Sequence, residues 1–145
     1  MKTFYLAYGM NTNLQQMAWR CPAARSLGKV TLPKHKLVFK NFCDAVKDPA
    51  SSMECVLWEI TPECERALDA LEGYPTFYGK KEVDVMFKGK KIRAMIYFMT
   101  DHYGKGFPSE HYLKMVSEGY IDHDISTEQI IRAIEEVEDA YCYGT

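Results

Sequence analysis

The stretch from Thr61 to Pro75 constrains the fold most, because both of its ends are punctuated. Thr61 is suited to an N-cap, Pro62 to the first helical position, and Glu63 and Glu65 to the positive end of a helix dipole. Cys64, Ala67, Leu68 and Leu71 recur at helical spacing and predict one apolar face. Gly73 is suited to the left-handed residue that closes a helix, and Pro75 blocks its continuation. A helix over residues 61–71 is therefore predicted, with a strand at 54–60 before it and a hairpin of strands 81–87 and 91–99 after it. The hairpin turns at Lys88-Gly89-Lys90, where a residue able to take positive φ is needed.

The rest of the chain continues this mixture. A first strand is predicted at 3–8, broken by Gly9, with a short helix from about Asn13 that puts Leu14, Met17, Ala18 and Cys21 on one face. Strands are expected at 25–32 and 36–42 around a turn at Pro33, then a loop over 44–53 that contains Pro49-Ala50-Ser51-Ser52. After a loop with Gly104, Gly106 and Pro108, Ser109 caps a helix carrying Tyr112, Leu113 and Val116. Ser126 and Gln129 form a capping box for a last helix. About six strands and four helices in mixed order predict an α+β fold with a mixed, largely antiparallel sheet or barrel and flanking helices. No linker-like run divides residues 1–145, which are read as one domain.

Charge and cysteine content narrow the function classes. A net charge of −2 gives no reason to expect nucleic acid or an anionic membrane as a partner. The basic clusters Lys80-Lys81 and Lys88 to Arg93 read as solvated strand ends. No signal-peptide pattern and no apolar run of spanning length is present, so no membrane association is expected. The five cysteines Cys21, Cys43, Cys55, Cys64 and Cys142 are odd in number and include no CxxC pair, and they read as reduced thiols of a cytoplasmic protein.

Two segments carry candidate chemistry. Glu72 falls at the negative end of the predicted helix and just before Tyr74, Phe77 and Tyr78. Dipole and desolvation both favour its protonated form, which suits a general acid and base near neutral pH. The plainer alternative is a solvated helix-end glutamate. Tyr8-Gly9-Met10-Asn11 lies between a strand and a helix, where unpaired amides form an anion site. Its plainer alternative is an ordinary turn with Asn11 or Asn13 as N-cap.

Several blocks together resemble one family. They are Tyr8-Gly9-Met10-Asn11, Asn13-Leu14, Arg20-Cys21-Pro22-Ala23-Ala24, Val56-Leu57-Trp58, Glu72-Gly73-Tyr74-Pro75-Thr76-Phe77-Tyr78, and Tyr97-Phe98-Met99 followed by Pro108-Ser109 and Tyr112. In this order, over most of residues 3–120, they resemble the γ-glutamylcyclotransferase (AIG2-like, BtrG-like) family. The resemblance implies that the two loops meet, and that the substrate is a small molecule bearing a γ-glutamyl group. Its α-amine would attack its own side-chain carbonyl, giving 5-oxoproline and releasing an amine or amino acid, with no metal or cofactor. It assigns Glu72 as the catalytic acid and base, the backbone of Gly9, Met10 and Asn11 to hold the γ-glutamyl group, and Tyr8, Tyr78 and Tyr112 to the pocket. Met10 stands where the family has serine.

Two other classes compete. A binding module of the same fold would keep a γ-glutamyl or amino-acid pocket without turnover. A thiol hydrolase would pair one of the cysteines with His35, His102, His111 or His123. Zinc ligation is not expected from these histidines, which lack metal-ligand spacing with a cysteine. Apolar residues on the last helix leave a homodimer open.

Overall fold

A computed structural model describes residues 2–101 and 103–143, with only the backbone of Tyr143; His102 lies outside the described residues. The elements in chain order are β1 (Thr3–Ala7), a 3-10 turn (Met10–Thr12), α1 (Leu14–Arg20), β2 (Arg25–Lys40), β3 (Phe42–Ile60), α2 (Pro62–Glu72), β4 (Tyr78–Phe87), β5 (Lys90–Met99), α3 (Glu110–Asp122) and α4 (Glu128–Tyr143). The strands form one mixed sheet in the order β2-β3-β1-β5-β4. β1 is antiparallel to β3 and parallel to β5, and the β2–β3 and β4–β5 pairs are antiparallel. The α+β class expected from the sequence is the observed one.

The predicted helix at 61–71 is α2. The Thr61 side chain accepts from the Cys64 amide at 3.1 Å, and Gly73 ends the helix at φ 65°. The Tyr74 amide closes the end by donating to the Asp69 carbonyl at 2.9 Å. The β4–β5 turn is Lys88-Gly89, with φ of 49° and 78°, which matches the right-handed twist of a hairpin.

Three expectations are corrected. The two strands predicted around Pro33 are a single long strand, β2, with an irregularity between Pro33 and His35. That merger leaves five strands in the sheet where about six were expected, and the loop expected at 44–53 belongs to β3. The composition of that segment disfavours a strand, but β2 alongside offers a ladder to its backbone, and pairing overrides propensity. Only residues 48–51 fall out of register, between the pairs His35–Lys47 and Pro33–Ser52; there the Asp48 carboxylate accepts from the Ala50 amide and the Ser51 hydroxyl. Such an insertion bends a hairpin. Gln129 forms no capping box either. Its amide clamps Glu54, accepting from the Glu54 amide at 2.8 Å and donating to the Glu54 carbonyl at 3.0 Å.

The core runs from Leu6, Val56 and Leu57 in the sheet to Leu68 of α2, Val116 and Tyr120 of α3 and Val137 of α4. Cys55, Val56, Leu57 and Trp58 are consecutively buried, so both faces of β3 are covered there. The tip of the β2–β3 hairpin is fastened by the segment before α3: the Asn41 amide donates to the Gly106 carbonyl, and the Gly106 amide to the Phe39 carbonyl. This tie holds Phe42 and Cys43 beside the end of β1. Lys80 is no solvated strand end, because it pairs with Glu65 at 2.6 Å and Asp69 at 2.9 Å.

Candidate functional site

Where β1 ends, a cavity of about 240 Å³ opens. Tyr8, Gly9, Met10 and Asn11 line one side of it, and Glu72 enters from the C-terminal end of α2. Tyr78 comes from the start of β4 and Tyr112 from the first turn of α3. The seven residues Tyr8, Gly9, Met10, Asn11, Glu72, Tyr78 and Tyr112 are thus brought to one cavity from elements far apart in the chain.

The contact that joins the two loops is made by Asn11, which is almost completely buried. Its side-chain amide donates to the Tyr5 hydroxyl at 3.1 Å and lies 3.4 Å from Glu72 Oε1. Its side-chain oxygen accepts from Arg20 Nη1 at 2.7 Å, and its backbone carbonyl accepts from Trp58 Nε1 at 3.0 Å. Every polar group of the Asn11 side chain is thereby engaged, so it braces the carboxyl of Glu72 and the guanidinium of Arg20 in one frame. Among the described residues the amides of Met10 and Asn11, at the start of the 3-10 turn, donate to no carbonyl. This turn precedes α1 and does not begin it: Asn13 caps α1 by accepting from the Gln16 amide at 3.1 Å.

Glu72 is half-buried, and its pKa is pushed up to about 7. Burial is the main cause; the positive charge of Arg20 works in the opposite direction. The expected aromatic wall is only partly the one that forms. Phe77 and Tyr78 line the cavity, whereas Tyr74 turns to Lys80, whose Nζ sits 4.3 Å from the ring centroid.

The tyrosine hydroxyls mostly serve the frame. Tyr8 donates to the Tyr97 carbonyl at 2.7 Å, and Tyr78 to the Cys43 carbonyl at 2.7 Å. Tyr112 accepts from the Cys43 amide at 3.1 Å. A Cβ placed on Gly9 would lie 2.9 Å from that Tyr112 hydroxyl and 3.1 Å from Cys43 Cβ. Gly9→Ala is therefore expected to break the Tyr112–Cys43 bond, at a cost of about 1–3 kcal/mol. A denaturant midpoint unchanged from wild type would show that the close approach is relieved without loss.

Sequence reasoning missed several lining residues. Arg20 lay in a quoted motif, yet nothing local marked it as facing a cavity. Its Nη2 also contacts the Met10 sulfur at 3.3 Å, so Met10 lies against a cation. Phe42 and Cys43 had no local signal, because the hairpin fastening brings them in. Burial pushes the Cys43 thiol up to about 12, and no described histidine lines the cavity, which leaves a thiolate nucleophile without a base. His35 instead lies against Lys81 and His123 against Ser26. Cys21, Cys55 and Cys64 are buried, and Cys142 is exposed. Among the described residues no group of three metal-ligating side chains stands together, and no helix is long and apolar enough to cross a membrane.

An α+β fold with a cavity at the end of β1, closed by a carboxyl from a helix C-terminus, defines a recognisable class. The chain belongs to the gamma-glutamyl cyclotransferase, AIG2-like family, whose model matches residues 5–119. Its structure is similar to that of a gamma-glutamyl cyclotransferase at 24% identity and a TM-score of 0.82, covering 96% of this chain and 97% of that one. An uncharacterised human protein gives 25% identity and a TM-score of 0.81, covering 95% and 96%. A yeast gamma-glutamyl cyclotransferase specific to glutathione shares the fold at 11% identity and a TM-score of 0.63, covering 99% and 98%. A search of the curated proteins finds no match.

Proposed function

We propose that the protein is a cyclotransferase that converts a γ-glutamyl amide to 5-oxoproline and a free amine, with Glu72 moving the protons. The observation that carries this reading is the carboxyl of Glu72, held against Asn11 beside the cavity with a pKa of about 7. A group of that pKa exchanges protons in both directions at neutral pH.

The substrate supplies its own nucleophile. Its α-ammonium carries three protons and cannot attack until one is removed. Ionised Glu72 accepts that proton, and the freed amine adds to the γ-carbonyl carbon to close the five-membered ring. The amide carbon–nitrogen bond then breaks. The ring nitrogen keeps one of the three protons, and the other two pass through Glu72 to the leaving nitrogen, which departs as an ammonium. The amides of Met10 and Asn11 are suited to the charge that develops on the carbonyl oxygen. Asn11 is a positioning residue through its side chain, since that side chain is spent on Glu72, Arg20 and Tyr5. Tyr8, Tyr78 and Tyr112 shape the pocket with their rings.

The test is release of 5-oxoproline from a panel of γ-glutamyl amines and γ-glutamyl amino acids. Turnover across pH should follow the ionised fraction of Glu72. kcat/KM is expected to level off above about pH 7 and fall about tenfold per unit well below it. A profile flat down to pH 5 would place the working base elsewhere. Saturable binding of γ-glutamyl compounds with no 5-oxoproline at any pH would instead establish the binding module.

A further inference from the structure

Two lysines follow one another at the start of β4 and meet different partners. Lys80 is paired with Glu65 and Asp69. Lys81 points to the other face of the strand, and its Nζ lies 3.1 Å from Nε2 of His35. His35 belongs to β2, so this contact joins the two strands at opposite ends of the sheet order.

The state of the His35 ring follows from its partners. Nδ1 lies 2.9 Å from the Pro33 carbonyl, which can only accept, so Nδ1 carries the ring proton. Nε2 then presents a lone pair to the Lys81 ammonium, in a ring that is almost fully buried. His35 is thereby placed to take a proton from Lys81.

Cations crowd the same spot. Lys47 is the cross-strand partner of His35 in the β2–β3 ladder, and its charge acts on both His35 and Lys81. Among the described residues neither Lys47 nor Lys81 makes an ion pair. The carboxylate whose charge reaches Lys81 is that of Asp44, which is committed to Lys40 at 2.8 Å and to the Met99 amide at 3.0 Å. Burial first, and Lys47 after it, push the Lys81 amine below its ordinary range, with Asp44 opposing. Burial and the charges of Lys81 and Lys47 hold His35 below its own range, against the Pro33 bond. Desolvation and a neighbouring cation are what make a lysine nucleophilic. Lys81 is also partly exposed, so a small uncharged electrophile can reach it.

We propose that Lys81 is a carbamylation site, where the amine captures carbon dioxide and the resulting carbamate pairs with Lys47. The ammonium proton passes to His35 Nε2 and on to solvent. The freed nitrogen attacks the carbon of CO2, and a carbon–nitrogen bond forms as one carbon–oxygen π pair becomes the carboxylate charge. A second nitrogen proton then leaves to water. The reaction turns one of two crowded cations into an anion beside the other. Lys81, His35 and Lys47 do not line the cavity at the end of β1, so this site is independent of the cyclotransferase reading.

The test equilibrates the whole protein with carbon-13-labelled bicarbonate at mildly alkaline pH and reads carbamates by carbon-13 NMR. Methylation with an oxonium reagent then traps them for peptide mass spectrometry. Occupancy at Lys81 is expected to exceed that at each other lysine roughly tenfold or more, as a free-amine fraction larger by one pKa unit requires. Lys81→Arg, which keeps the charge and a donor for His35, should remove the corresponding resonance. Equal occupancy across the lysines, or a resonance that persists in Lys81→Arg, would overturn the proposal. Lys47→Gln changes an exposed side chain. It is expected to lower Lys81 occupancy roughly threefold or more, since it removes both the neighbouring cation and the partner of the carbamate. Unchanged occupancy in Lys47→Gln would overturn the pairing with Lys47.

Discussion

Replacing Glu72 with glutamine is expected to lower 5-oxoproline release by about 10²–10⁴-fold while leaving the fold in place. Glutamine keeps the volume of the side chain and can still meet Asn11, but it neither accepts the ammonium proton nor returns one to the leaving nitrogen. The same substitution should stabilise the protein at alkaline pH. The folded-state pKa of Glu72 is raised to about 7 from an ordinary 4.5, so the native state holds this proton to higher pH than the unfolded chain does. The stability tied to that proton is fully present below the unfolded pKa and is lost as pH rises to about 7. Above that, wild type carries a half-buried carboxylate that the variant lacks. With allowance for solvent screening, the variant is expected to be more stable by about 1–2 kcal/mol at pH 8, and the gap should close towards pH 4. Thermal unfolding at the two pH values measures the gap, and the 5-oxoproline assay measures the loss. Retained turnover would take Glu72 out of the chemistry. Loss of cooperative unfolding would make it a structural residue.

The second large effect lies away from the chemistry. Gly119 places α3 directly against the 3-10 turn. A Cβ there would collide with the Thr12 hydroxyl and stand 2.6 Å from the Asn13 nitrogen and 2.7 Å from the Thr12 carbonyl carbon. Two of these three atoms are backbone and cannot swing aside, and Thr12 and Asn13 are both buried. Gly119→Ala must therefore push α3 off the turn, at an expected cost of about 3 kcal/mol. The displacement also strains the bond from the Asn13 side chain to the Met115 carbonyl, at 3.0 Å, and that from Tyr120 to the Tyr8 carbonyl, at 2.8 Å. Activity should fall with stability, because the same turn carries Met10 and Asn11. Denaturant unfolding is the direct measurement; a midpoint unchanged from wild type would mean that α3 does not pack as described.

Family membership rests on a match over residues 5–119 and on the fold, and it agrees with the motif order read from the sequence. Individual residues differed in how far they could be read. Glu72 was legible because its helix is punctuated by its own neighbours: Thr61 accepts from Cys64, and Gly73 takes the left-handed conformation. The Lys88-Gly89 turn was legible for the same reason. In each case the deciding hydrogen bond or dihedral lies within a few residues of the one that specifies it.

Tertiary structure decided the rest. Residues 44–53 have the composition of a loop, but most of them join the sheet because β2 meets their backbone groups. Gln129 has the spacing of a capping residue, but Glu54 presents a free amide and carbonyl to it. Arg20, Phe42 and Cys43 carry no local mark of the cavity that they line. The high pKa of Glu72 likewise depends on surfaces that arrive from β1, β4 and the β2–β3 hairpin to exclude water from it. The sequence by itself determined the two ends of α2 and the Lys88-Gly89 turn, because those are settled by neighbours along the chain. Which groups face one another, and how dry the space between them is, waits on the packing of elements far apart in the chain.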